Sequence, residues 1–195
     1  TGPAGFGALS NDHVSQRGDF LALDWGVGSL NFSPDLQRHA SVLKEGETHL
    51  PESIQTAFDN GLKVRDILKA NIKAGRTAGD TFELLNERIN GAGFKVMETF
   101  NEPTDDPENI DVIIGCHSVG NLGHGIGPSI AWFNPERMKY TIQPTNLFSI
   151  ELFAYTAIPE WGGKKLRVPL EDNAIVTERG VEWLYPVNNK VLLIR

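Results

Sequence analysis

Apolar and polar residues alternate over GDFLALDWG, residues 18–26: Leu21, Leu23 and Trp25 form one row, and Ala22, Asp24 and Gly26 the other. A period of two predicts a strand with one buried face, here the row of Leu21, Leu23 and Trp25. A turn is expected at Gly28-Ser29-Leu30-Asn31. FSPDLQRHA, residues 32–40, then returns as the second strand of a hairpin, confined by Pro34 to an edge or a bulge. From Pro51 to about Ala74 the period lengthens. Ile54, Ala57, Phe58, Leu62, Val64, Ile67, Leu68 and Ile72 recur in steps of three and four, the stripe of an amphipathic helix in which Gly61 is a tolerated blemish. A second helix is predicted from Thr77 or Asp80 to Asn90, with Phe82, Leu85 and Ile89 on one face and Gly91-Ala92-Gly93 ending it. Beyond it the chain reads as strand and loop. NEPTDDPEN (101–109) is a solvated acidic loop, VIIG (112–115) a short buried strand, and 140–158 an extended region. EWGGKK (160–165) is a turn, and LRVPLEDNAIVTERGVEWLYP (166–186) a hairpin-like pair. Hairpin, helices and then more strands make an α+β arrangement, read as a single domain over residues 1–195.

Composition narrows the function classes. With 40% hydrophobic residues in 195, the chain can bury one substantial core. Eighteen Lys and Arg against 25 Asp and Glu give a net charge of −7, and no basic run with interleaved aromatics offers a path for a phosphate backbone, so no nucleic-acid partner is expected. Cys116, the single cysteine, excludes an internal disulfide and a multi-cysteine zinc site, and is most simply a small buried residue. No apolar stretch approaches the roughly 18 residues of a membrane span, and the opening TGPAGFGALSNDH lacks the regions of a signal peptide. No membrane partner is expected, and the compartment stays open with a slight preference for the cytoplasm. Because the chain starts at Thr1 and runs quickly into strand-like sequence, an N-terminal part is expected to be missing.

Several residues invite chemistry. A hairpin turning at Ser29-Leu30 sets Asp24 directly opposite Asp35, and opposed Cβ atoms stand about 4.5–5.5 Å apart, where two carboxylates repel unless a cation lies between them. The plainer alternative is two surface aspartates of an acidic protein. GHGIGPS (123–129) places His124 among three glycines, so that a ligand can approach the imidazole closely; a glycine-rich turn with an exposed histidine is the other reading. Pro128 argues against a phosphate loop here. Glu151 closes NLFSIE and Glu171 lies in VPLEDNAIVTE. Each is an acid in an apolar strand-like stretch that needs a cation or a hydrogen-bonding partner unless alternation turns it outward. Four carboxylates and one imidazole form a hard, oxygen-rich set suited to manganese, iron(II), cobalt or zinc, and four negative charges balance two divalent cations. His117, after VIIGC, reads equally as a catalytic or a structural histidine. His13 and His39 read as surface or turn residues, although His39 would point from the hairpin that carries the aspartates. Trp132 and Phe133 are either a substrate wall or core packing.

The segments LALDWG, SPDLQRHA, GHGIG, FSIE and LEDNAIVTERG follow one another in an order that resembles the pita-bread metallopeptidases. That family includes methionine aminopeptidase, aminopeptidase P, prolidase and creatinase, and the style is nearest its Xaa-Pro aminopeptidase-like members. The resemblance runs from about Gly18 to Tyr185 with an unmatched middle. It implies a pita-bread catalytic domain holding two divalent metal ions on Asp24, Asp35, His124, Glu151 and Glu171, with Asp35 and Glu171 bridging them. It implies hydrolysis of an N-terminal peptide bond, Xaa-Pro bonds among the candidates, with Glu151 as proton shuttle. A small-molecule substrate on the same metals, a degenerate binding relative, and a homodimer stay open. The family's accessory histidines fall on Ala131, on Gly120 and near Phe6 and Gly7, none of them histidine; His117 is the one candidate substitute, as a catalytic residue.

Overall fold

A computed structural model describes residues 12–101, 103–187 and 189–195. Its elements in chain order are β1 (Phe20–Trp25), β2 (Leu36–Val42), α1 (Glu52–Asn71), α2 (Ala78–Gly91), β3 (Lys95–Val96), β4 (Asp111–Ile114), β5 (Cys116–Ser118), β6 (Ser129–Ile130), α3 (Pro135–Met138), β7 (Leu147–Ala157), β8 (Lys165–Thr177), β9 (Gly180–Trp183) and β10 (Leu192–Ile194). The α+β expectation holds, and both long helices lie where the three-and-four periodicity puts them. Expected histidine positions near Phe6 and Gly7 lie outside the described residues.

The long antiparallel pair β7–β8 is the spine, in register from Leu147 opposite Ile175 to Ala157 opposite Lys165. On the other side of β7, β4 and β5 lie end to end, interrupted at Gly115, whose N–H still donates to the Glu151 carbonyl at 3.0 Å. β3 and β6 flank that broken strand, and β9 pairs with β8. α1 lays Ile54, Ala57, Phe58, Val64 and Leu68 onto one face of this sheet, joining Phe82, Leu85 and Ile89 of α2 in one core. Gly61 has a reason. A Cβ there would stand 3.0 Å from Leu170 Cδ1, so the missing side chain lets the helix lie close on β8. Thr77 caps α2, its hydroxyl accepting from the Asp80 N–H at 3.0 Å.

A second sheet, β1–β2–β10, packs through β2 onto β8. Its hairpin corrects two expectations. Ser29 and Phe32 exchange backbone hydrogen bonds, and Leu30 and Asn31 both take left-handed backbone angles, φ 50° and 62°. The turn is therefore the two-residue form whose twist suits a hairpin, and it sits one residue later than expected. As a result Asp24 faces Gln37, not Asp35, and Asp35 lies just before β2. The row of β1 expected to be buried is also exposed beyond Leu21. Leu23 is 60% and Trp25 43% exposed, while β2 buries Gln37, His39 and Ser41. On β2 the row of Gln37 is turned toward the polar side chains of β8, while beyond Leu21 both rows of β1 are exposed. No described helix is long and apolar enough to cross a membrane.

Candidate metal centre

Between the two sheets the strands bring acids together. Glu151 of β7 and Glu171 of β8 are directly opposed, an arrangement of like charges that destabilises a ladder unless it is compensated. Glu171, 2% exposed, accepts from the Ser149 hydroxyl at 2.6 Å on Oε1 and from Gln37 Nε2 at 2.8 Å on Oε2. The break at Gly115 makes room for its neighbour: a Cβ there would stand 2.7 Å from Glu151 Oε2. Asp24 comes from β1. Asp35 is fixed by its backbone, its N–H donating to Asn173 Oδ1 at 3.2 Å and its carbonyl accepting from Asn173 Nδ2 at 2.9 Å. Gly123, at φ 80°, is the second forced glycine, since a Cβ would meet Asp35 Oδ2 at 2.7 Å.

Two histidines close the cluster. His117 is buried, its Nε2 3.4 Å from Glu171 Oε1, 3.7 Å from Glu151 Oε2 and 3.9 Å from Asp35 Oδ2, with Nδ1 3.2 Å from the Ser118 carbonyl. His124 stacks on it at 4.3 Å between ring centroids, with Nε2 3.3 Å from Asp35 Oδ2 and a side chain 65% exposed. The sequence points to His124 as the histidine among the acids; the structure sets His117 deeper and within reach of three carboxylates. Among the described residues, three groups of donors converge closely enough for a cation: Asp24, Asp35 and Glu171; His117, Glu151 and Glu171; and Asp35, His117 and His124. Donors held about 2.0–2.2 Å from a cation stand roughly 3–4 Å from one another, so the His117 distances of 3.4–3.9 Å fit a shared ion. All five residues expected as ligands are thus brought to one place.

The electrostatics agree. Burial pushes the Glu151 carboxyl well above the usual range, and the charges of Glu171, Asp35 and Asp24 add to the push. Asp24 is raised by burial and by Asp35, and Asp35 by burial and by Glu171 against the opposing pull of His117 and His124. Carboxyls strained in this way gain most from a nearby cation.

Several residues of the site lie within the quoted segments without standing out there as ligands. Gln37 and Asn173 each lie two residues along a strand from a ligand candidate, on the same face, and that spacing is the one signal by which the sequence could have pointed to them. Ser149 stands in the same relation to Glu151. His39, by contrast, leaves the site: it is 3% exposed in the core, stacked on Phe20 at 5.6 Å and edge-on to Phe58 at 5.5 Å, so its surface or turn reading is corrected. Trp132 packs against the core and, with Phe133, against exposed Phe100. Ala131, at the position where the family resemblance puts an accessory histidine, is fully buried.

The sequence model of Metallopeptidase family M24 matches residues 4–178. No curated protein matches the chain by sequence. Among solved structures, the fold is similar to an X-Pro aminopeptidase from Thermotoga maritima (TM-score 0.68, 20% identity, covering 94% of this chain and 44% of that one). It is also similar to an Xaa-Pro dipeptidase from Bacillus anthracis (0.65, 22%, 94% and 44%). A methionine aminopeptidase from Rickettsia prowazekii is similar too (0.59, 16%, 89% and 66%). The chain thus spans less than half the length of the first two.

Proposed function

The chain belongs to Metallopeptidase family M24, and from that premise we propose that it is a dinuclear metal-dependent hydrolase of peptide bonds next to a free N-terminus, Xaa-Pro bonds among them. The observation that carries the reading is the convergence of Asp24, Asp35, His117, His124, Glu151 and Glu171 from five separate stretches of chain into one cluster between two sheets. An acidic, imidazole-bearing set of this kind suits manganese, iron(II), cobalt or zinc. Bound there, a pair of such cations supplies an ionised water at neutral pH and polarises an amide carbonyl.

The chain's own residues do the rest. Asp24, Asp35 and Glu171 hold charge on one side of the cluster, with Glu171 held by the Ser149 hydroxyl. His117 and His124 supply the nitrogen donors on the side of Asp35. Glu151 is the proton carrier. It accepts a proton from the attacking water and gives it to the leaving amine, the double role of a general base and acid.

Ala131 and Gly120, standing where peptidases of this kind are expected to use histidines, favour a second reading in which the same metals act on a small non-peptide amide or amidine. Elemental analysis after manganese loading tests the metal reading. About two ions per chain are expected, falling to fewer than one in Asp35→Ala; fewer than about half an ion in the wild type would sink it. A panel of Xaa-Pro dipeptides beside small amidino compounds then separates the two substrate classes.

A further inference from the structure

Gln37 stands among the acids in a way that no motif anticipates. Its side chain is 97% buried, and Nε2 faces three carboxylates at once: Glu171 Oε2 at 2.8 Å, Glu151 Oε1 at 3.3 Å and Asp24 Oδ2 at 3.4 Å. The other half of the amide has nothing to do. Oε1 is buried without a hydrogen-bond partner, and an unmet buried acceptor costs about 1–3 kcal/mol. One amide therefore combines an orphaned oxygen with a nitrogen surrounded by negative charge.

The distances from Nε2 are those between neighbouring donors of one cation shell, roughly 3 Å where each donor is about 2.1 Å from the ion. An atom in that place completes the shell if it is an oxygen and excludes the ion if it is an N–H donor. Rotation about the last torsion of glutamine exchanges the two atoms without moving the carbon skeleton, and that torsion is broad and roughly two-fold. We propose that Gln37 is a metal ligand: when a divalent cation binds between Asp24 and Glu171, the amide turns over and Oε1 takes the position that Nε2 holds without it. Two opposite faces of one side chain thus serve two states of the site. The N–H group holds the carboxylates together when they are bare, and the oxygen joins them about the ion when it is present. Gln37 is well placed for this on β2, directly opposite Asp24 and two residues after Asp35.

The inference rests on the metal reading above, and the test keeps the two apart. Manganese is titrated calorimetrically into the wild type, Gln37→Leu and Gln37→Met, each first stripped with chelator and checked for a cooperative thermal transition. If the oxygen is a ligand, both variants bind one of the two ions about 10–100-fold more weakly than the wild type, the usual loss for a disturbed ligand shell. Unchanged or raised affinity overturns the inference while the metal reading stands, and so does weaker binding with an unaltered cobalt spectrum, which is the result expected if Gln37 only positions Glu171 through its N–H. The unbranched Met variant retains the test if the Leu variant does not fold. Cobalt gives an independent readout in the wild type and Gln37→Met: loss of an oxygen donor lowers the coordination number and strengthens the visible absorption bands. Identical spectra overturn the proposal, and a wild type that takes up neither metal overturns it together with the metal reading.

Discussion

His39 lies between Phe20 and Phe58 with Nε2 buried and unpartnered, and burial lowers its pKa from 6.5 to about 4 against a backbone hydrogen bond to Pro169. The folded protein therefore keeps this imidazole neutral where the unfolded chain would protonate it. Between those two values the unfolded state binds more protons, so the contribution is complete above pH 6.5 and is lost as pH falls toward 4, on the order of 3 kcal/mol in all. In His39→Phe, which keeps a ring against both neighbours, urea midpoints followed from pH 7 to pH 4 should fall less steeply than in the wild type. Parallel curves would show that His39 does not titrate with unfolding. At the same scale, Gly115 and Gly123 matter for what they lack, since each leaves a space that a carboxylate oxygen fills.

At the scale of elements, the β4–β5 break belongs to the site as much as the strands do. Gly115→Ala would drive a Cβ against Glu151 Oε2 at 2.7 Å, and the flexible carboxylate would yield before the backbone. We expect manganese affinity to drop about tenfold or more, with the chelated protein's stability changed by less than about 1 kcal/mol. Calorimetric titration beside a thermal scan checks this; an unchanged affinity would show that Glu151 binds from another position. Helices were legible because their stripes of Ile, Leu and Phe match a buried face, and the order of β7, β8 and β9 followed from apolar runs bounded by turn residues. The hairpin was legible too, but its register and its buried row were not. Its alternation is real, but tertiary packing decides which row is buried, and here Gln37, His39 and Ser41 of β2 go inward while β1 beyond Leu21 stays exposed on both rows. A turn displaced by one residue moved the partner of Asp24 by two. Five acid and histidine candidates were legible as a set because each sits in its own short motif. Gln37, Asn173 and Ser149 were not, since they work by standing two residues from a ligand candidate, and two residues is simply the period of a strand.

For the molecule as a whole, the centre is a second junction between the sheets, beside the core that Phe20 and His39 reach. β1 and β2 meet the larger sheet through a polar face, so much of what holds the hairpin to β8 is electrostatic: Gln37 to Glu171, Asn173 to Asp35, and Arg38 to Asp172 at 3.0 Å. A ligand that binds only the folded chain stabilises it by mass action, about 2.7 kcal/mol at a hundredfold excess over its dissociation constant. Manganese should therefore raise the thermal midpoint by several degrees and chelator should reverse the change, both effects being abolished in Asp35→Ala. Equal midpoints with and without metal would mean that the cluster does not bind ions under those conditions.

The opposition of Glu151 and Glu171 then has a meaning beyond chemistry. Two carboxylates face each other in the longest pairing of the molecule, so a chain short of cations keeps a fault in its own spine. Such chains open more often and spend longer within reach of proteases. In a living cell, how much of this protein persists would follow mineral supply as well as its rate of synthesis.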